Sequence, residues 1–233
     1  MLKKEIIWLY LYLFAGLADM AMIIQQIDAY RIFTKPLILI SLTIYFFTST
    51  RLIKNSLLRK SMGTALIFLL AGDILKLFPS YFWLGWGAYL ITQICYIIAF
   101  KLTQSHTIQL KGMNFVKLFF YNLPIYILAA FLYYLINDQL NQLKTPIIIY
   151  ILTMVLMVSI ARERYKRTNI LSYSQVFLGA LLFMISDSIQ ALDIFFRPIP
   201  SDEVLVRGTF TLAHLLIVMG IRSHLIHGPI TKK

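Results

Sequence analysis

The sequence predicts an all-α polytopic membrane protein, with eight transmembrane helices in a single membrane domain over residues 1–233. Three observations predict it. The chain is 59% hydrophobic and only 14% charged, with a mean hydropathy of +0.75, whereas soluble domains are about 45–50% apolar. Apolar runs near the ~20 residues that a helix needs to cross hydrocarbon recur along the whole sequence. Lys and Arg are divided unequally between alternate connections, sixteen on one side and six on the other, as the positive-inside asymmetry of membrane proteins requires.

The spans read in order as 6–25, 36–50, 62–78, 81–100, 115–136, 146–161, 172–196 and 204–223. Met1-Leu2-Lys3-Lys4, an apolar run and Ala15-Gly16-Leu17-Ala18 imitate a cleavable signal peptide, but the run continues past Asp19 to Ile24, so a retained first span is expected. The second span opens at Lys35-Pro36 and the sixth at Lys144-Thr-Pro146; both are short. Asp73 lies in the third. In the fourth, Gly85, Tyr89, Gln93 and Tyr96 share one stripe, and in the seventh Gly179, Phe183, Ser186 and Asp187 do, because residues three or four apart are neighbours on a helix. His214 lies within the eighth. Pro36, Pro124 and Pro146 are expected near helix ends.

The sixteen basic residues include Arg51, Lys54, Lys111, the Arg162–Arg167 cluster, Lys232 and Lys233, so both termini are expected in the cytoplasm, which an even number of spans allows. The formal net charge of +12 falls mainly in short connections, so the expected counterions are membrane lipids and not nucleic acid. Cys95 is the single cysteine, so no intrachain disulfide can form. Asp19, Asp73 and Asp187 lie past the midpoints of outward spans, while Lys35, Gln93 and His214 lie on inward ones. These groups converge on the outer half of the membrane. An ionised carboxylate there costs at least ~2.5–3.5 kcal/mol on insertion scales, so each needs a partner or a function.

Each polar residue also has a plain structural alternative. Asp73 can pair with Lys76 on its own helix, and Asp19 with Lys35 or Arg31. Tyr89, Gln93 and Ser186 can serve as interhelical glue. Asp193 and Glu203 are expected to be solvated. A metal held by Asp73, Asp187 and His214 lacks a ligand spacing, while His224 and His227 lie at the cytoplasmic end and His106 in a loop, so no metal or cofactor is expected. Gly87 and Gln93 in span 4 are spaced as Gly208 and His214 are in span 8, and Ala65–Phe68 precedes Asp73 as Ala180–Phe183 precedes Asp187. These coincidences predict a parallel four-plus-four repeat, with halves 1–105 and 106–233 and a site between them.

The ordered set Thr34-Lys35-Pro36-Leu37, Gly72-Asp73, Phe82-Trp-Leu-Gly85 leading to Tyr96, Gly179-Ala-Leu-Leu-Phe183, Ser186-Asp187-Ser188 and Ala213 resembles the lysoplasmalogenase (YhhN-like) family of eight-span membrane proteins. The family usually has His where this chain has Gln93 and Gln where it has His214. The resemblance implies a membrane-embedded hydrolase that cleaves the vinyl ether bond of lysoplasmalogens, with a lysophospholipid and water as its partners in a bacterial inner membrane. Asp73 and Asp187 would be the catalytic acid and its ionised partner, their roles unassigned. Lys35 would hold the phosphate, and Tyr89, Gln93, Ser186 and His214 would line the substrate. The competing class is a non-catalytic lipid-binding or transport protein with an intramembrane acidic site. Sparse mid-span Gly and Pro interruptions favour the enzyme.

Overall fold

The computed structural model describes residues 2–53, 56–104 and 115–227; Lys54, His106, Lys111, Lys232 and Lys233 lie outside them. The described chain forms eight long helices: α1 (Leu2–Ile24), α2 (Arg31–Ser49), α3 (Leu57–Leu75), α4 (Phe82–Leu102), α5 (Phe115–Ile136), α6 (Lys144–Glu163), α7 (Ile170–Phe195) and α8 (Asp202–His227). Among the described residues, seven helices are long and apolar enough to cross a membrane, so the chain is an integral membrane protein. The exception is α3, which carries Arg59, Lys60 and Asp73 within its 19 residues. It is as long as α2 and packs between α2 and α4.

Local signals set the helix ends. The Ser56 side chain accepts from the Arg59 amide to start α3, and the Asn169 side chain accepts from the Leu171 amide at 2.9 Å to start α7, each satisfying a donor that the first turn leaves free. Pro146 falls in the first turn of α6, where its missing amide costs nothing. The expectations for Pro36 and Pro124 need correction: α2 opens at Arg31, five residues before Pro36, and α5 runs through Pro124, with the residue well inside the helix. Neighbouring structure re-satisfies the freed carbonyl in membrane helices, so proline does not end them as it ends soluble ones.

Antiparallel pairs α1–α2, α3–α4 and α7–α8 pack along their lengths, and α2–α3 and α6–α7 join them. Contacts of α4 with α6, and of α8 with both α1 and α2, close the array into a ring. Only α5 stands outside, against α6 and α7, burying the stripe Ile125, Ala129, Leu132 and Ile136 at helical spacing. The first helices of the two halves are therefore not placed alike, since α1 reaches α8 while α5 reaches α7.

The interior is aromatic and closely packed. Tyr12, Tyr89, Tyr96, Phe46, Phe100 and Phe183 are among the largest fully buried side chains. Small residues let the helices approach: a Cβ at Gly179 would stand 2.7 Å from the Ala213 carbonyl oxygen, which sets α7 directly on the α8 backbone.

Candidate active site

A cavity of about 260 Å³ lies at the end of the bundle formed by the α1–α2, α3–α4 and α7–α8 connections. Its wall includes Lys35 from α2, Asp73 from α3, Tyr89 from α4, Asp187 from α7 and Arg207 from α8. Charges of both signs face one another there, and Asp73 and Asp187 are held by different partners.

Asp73 belongs to a cluster of five charged side chains. Its Oδ2 lies 3.1 Å from Arg207 Nη1, and its Oδ1 accepts from the Tyr89 hydroxyl at 3.1 Å. The same guanidinium places its Nε 3.0 Å from Asp19 Oδ2. Asp19, fully buried, also accepts from Thr34 Oγ1 at 2.5 Å and lies 3.9 Å from Arg31 Nε. Arg31 reaches on to Glu203 at 2.5 Å at the cavity mouth. Arg207 thus holds two buried carboxylates with one planar fork, a geometry suited to guanidinium.

Asp187 is held otherwise. Its Oδ2 accepts from the Tyr150 hydroxyl of α6 at 2.6 Å, and neither oxygen is in an ion pair among the described residues. The cation that acts on it is Lys76, which acts on Asp73 as well. Lys76 donates to Gln190 Oε1 at 2.5 Å, and its ammonium lies 4.6 Å from the Tyr89 ring, 5.0 Å from Trp86 and 5.7 Å from Phe82. Three aromatic faces therefore supply part of the stabilisation that hydration would otherwise give this ammonium.

The sequence profile of the YhhN family matches residues 30–221, most of the chain. The chain belongs to the YhhN family. This is the lysoplasmalogenase-like family, and the match takes in Asp73, Tyr150, Asp187 and Arg207 but not Asp19. No curated protein and no solved structure gives a significant match.

In this YhhN chain, five of the seven residues singled out from the sequence line the cavity: Lys35, Asp73, Tyr89, Ser186 and Asp187. The Ser186 hydroxyl donates to the Val206 carbonyl at 3.0 Å and so ties α7 to α8. Gln93 and His214 lie behind the wall, fully buried. Gln93 sits beside Tyr150 and Asp187 without a hydrogen bond of good geometry. His214 pairs Nδ1 with the Tyr96 hydroxyl at 3.0 Å, and its ring packs on Phe210 and Phe183 at 4.4 and 4.7 Å. These two groups support the site from below.

Two expectations change and a third is extended. Asp73 pairs with Arg207 and not with Lys76, because the Lys76 side chain turns into the aromatic cage. Asp19 pairs with Arg207 as well as with Arg31. Asp193 and Glu203 are not merely solvated: both line the cavity, Glu203 held by Arg31 and Asp193 accepting from the Ile199 amide at 2.9 Å. Arg207, Tyr150 and Gln190 are additions to the sequence reading. Arg207 carried a signal, being a charge inside the predicted 204–223 span. Tyr150 carried none, as one of fourteen tyrosines.

Proposed function

We propose that this YhhN protein hydrolyses the vinyl ether bond of lysoplasmalogens, releasing a fatty aldehyde and a glycerophospho-alcohol. Family membership supports a membrane hydrolase. One observation carries the mechanism: Asp73 and Asp187 wall the same cavity with unlike partners, one ion-paired and the other hydrogen-bonded by a phenol. Pairs of carboxyl groups in unlike environments divide acid and anion roles in other reactions that pass through oxocarbenium ions.

In this reading Asp187 is the acid. It gives its proton to the alkene carbon remote from the ether oxygen, and the positive charge develops on the carbon bonded to that oxygen. Asp73, kept ionised by Arg207, faces the cation and orients water. Water adds to the cationic carbon and yields its proton to the Asp187 carboxylate, restoring the acid. The resulting hemiacetal breaks its bond to the glycerol oxygen, which takes up the hydroxyl proton, leaving aldehyde and alcohol. Lys35, which lines the cavity, binds the substrate phosphate. Tyr89 and Tyr150 hold the two carboxyl groups in register, and Gln93 sits behind the Tyr150–Asp187 pair.

The same reading places both termini in the cytoplasm, with all eight helices spanning a bacterial inner membrane and the cavity opening at its outer face. The purified chain, given a vinyl ether lysolipid and the matching ester lysolipid, is expected to release aldehyde from the first and to leave the second intact. Absence of aldehyde from the vinyl ether would favour a lipid-binding or transport role.

A further inference from the structure

A second polar pocket, of about 510 Å³, opens at the opposite end of the bundle, between α5, the end of α6, the following turn and the start of α7. Arg162, Lys166 and Arg167 line it together with Tyr121, Tyr165 and Tyr173. Glu163, the acid in its wall, is already engaged by Lys101 at 2.8 Å. None of the three cations is in an ion pair among the described residues. Arg162 donates to Asn122 Oδ1 at 3.3 Å and lies 5.1 Å from the Tyr121 ring. Arg167 donates to Gln104 Oε1 at 2.9 Å, and Lys166 lies 5.5 Å from the Tyr165 ring. Their partners are neutral amides and rings.

The turn itself adds to the positive potential. Arg164 is fully buried, spending its donors on Thr103 and Ser172 at 2.7–3.1 Å and in no ion pair among the described residues. Burial pulls its guanidinium down to about 9, still above neutral pH, so its charge persists. Three cations around a concave site whose one acid, Glu163, is already paired with Lys101 form an anion receptor, and guanidinium groups match phosphate oxygens in pairs.

We propose that this pocket binds the phosphate headgroup of an anionic membrane phospholipid. Tyrosines at helix ends sit at headgroup depth. Next along the chain, Phe120, Ile170 and Leu171 are each more than half exposed on the bundle surface, which gives the acyl chains an apolar wall beside the headgroup. A positive-inside excess alone asks only for charge on one side, not for a pocket. Arg51, exposed and placed away from this pocket, supplies the comparison.

The test uses the full chain in neutral phosphatidylcholine nanodiscs, with lipid retention read by native mass spectrometry and affinity by titration. Phosphatidylglycerol is expected to be retained over phosphatidylcholine. Replacing two cations, Arg162→Gln with Lys166→Gln, is expected to weaken its binding about 30-fold, and the exposed Lys166→Gln alone about 5-fold, since each basic residue near an anionic surface contributes a comparable increment. Arg51→Gln is expected to leave binding unchanged. Equal weakening by Arg51→Gln would reduce the site to diffuse charge and overturn the proposal. So would inorganic phosphate that saturates the pocket and abolishes the lipid preference, because the ligand would then be a free anion. The single Lys166→Gln variant separates loss of the site from misfolding of the Arg162 variant.

Discussion

Arg207 carries more of the site than any other residue, because one guanidinium meets Asp19 at 3.0 Å and Asp73 at 3.1 Å. Arg207→Gln leaves two buried carboxylates without their main cation, and stability is expected to fall by about 3–5 kcal/mol, read as thermal unfolding in detergent. Arg207→Lys is expected to restore only part of it, since an ammonium has no fork with which to hold both acids. Tyr150→Phe removes the phenol from Asp187 and is expected to lower aldehyde release about 10- to 100-fold while the protein stays folded, because the carboxylate that forms as Asp187 gives up its proton loses one hydrogen bond to a charged group. At this scale the acids were legible and their partners were not. Asp73 and Asp187 stand out as charges in apolar runs, whereas a tyrosine in an aromatic-rich membrane helix looks like packing until its hydroxyl is seen against a carboxylate. Lys76 shows a different limit: its spacing from Asp73 fits a local pair, but the rings of Phe82, Trp86 and Tyr89 arrive from another helix and no spacing rule foretells them.

Two helices, α3 and α4, are joined so closely that a Cβ on Gly72 would come within 2.5 Å of the Tyr89 ring and 3.0 Å of the Gly85 carbonyl oxygen. Gly72→Ala is therefore expected to cost about 1–3 kcal/mol by overpacking. It should also lower aldehyde release, because the ring it displaces carries the hydroxyl bonded to Asp73. A variant with unchanged Tm and unchanged rate would show that Tyr89 does not position Asp73. Helix limits were readable closely for α5, predicted at 115–136, and for α7, predicted at 172–196 and found at Ile170–Phe195, whereas α2 and α3 begin at Arg31 and Leu57, each five residues before the predicted start. The length of the apolar run sets the close ones, while the early starts of α2 and α3 lie in polar flanks, Arg31 to Lys35 and Arg59 to Lys60, that an apolar-run reading leaves out. The predicted span 115–136 already ran through Pro124; what failed was placing that proline near a helix end, since its tolerance inside α5 depends on surroundings that the sequence does not display.

Over the whole molecule, the seven-helix ring with α5 outside brings the ends of α3 and α7 and the starts of α2 and α8 to one cavity. Alternating direction placed those residues at a common depth in the sequence, but depth cannot say which helices are neighbours; packing decides that. The membrane orientation rests on the basic residues and is open to direct check. In a Cys95→Ser background, an impermeant maleimide applied to intact cells is expected to label Arg197→Cys, at the cavity end, and not Arg51→Cys, at the other. The reverse pattern would turn the cavity toward the cytoplasm.

The claim on which all of this turns is that the carboxyl groups of α3 and α7 act together on one substrate. It is tested most directly by aldehyde release from a vinyl ether lysolipid by equal amounts of folded wild type, Asp73→Asn and Asp187→Asn. Both substitutions are expected to lower the rate by at least about 100-fold, the lower end of what a positioned acid or base contributes. A rate near wild type in either variant would remove that carboxylate from the chemistry and contradict a shared site.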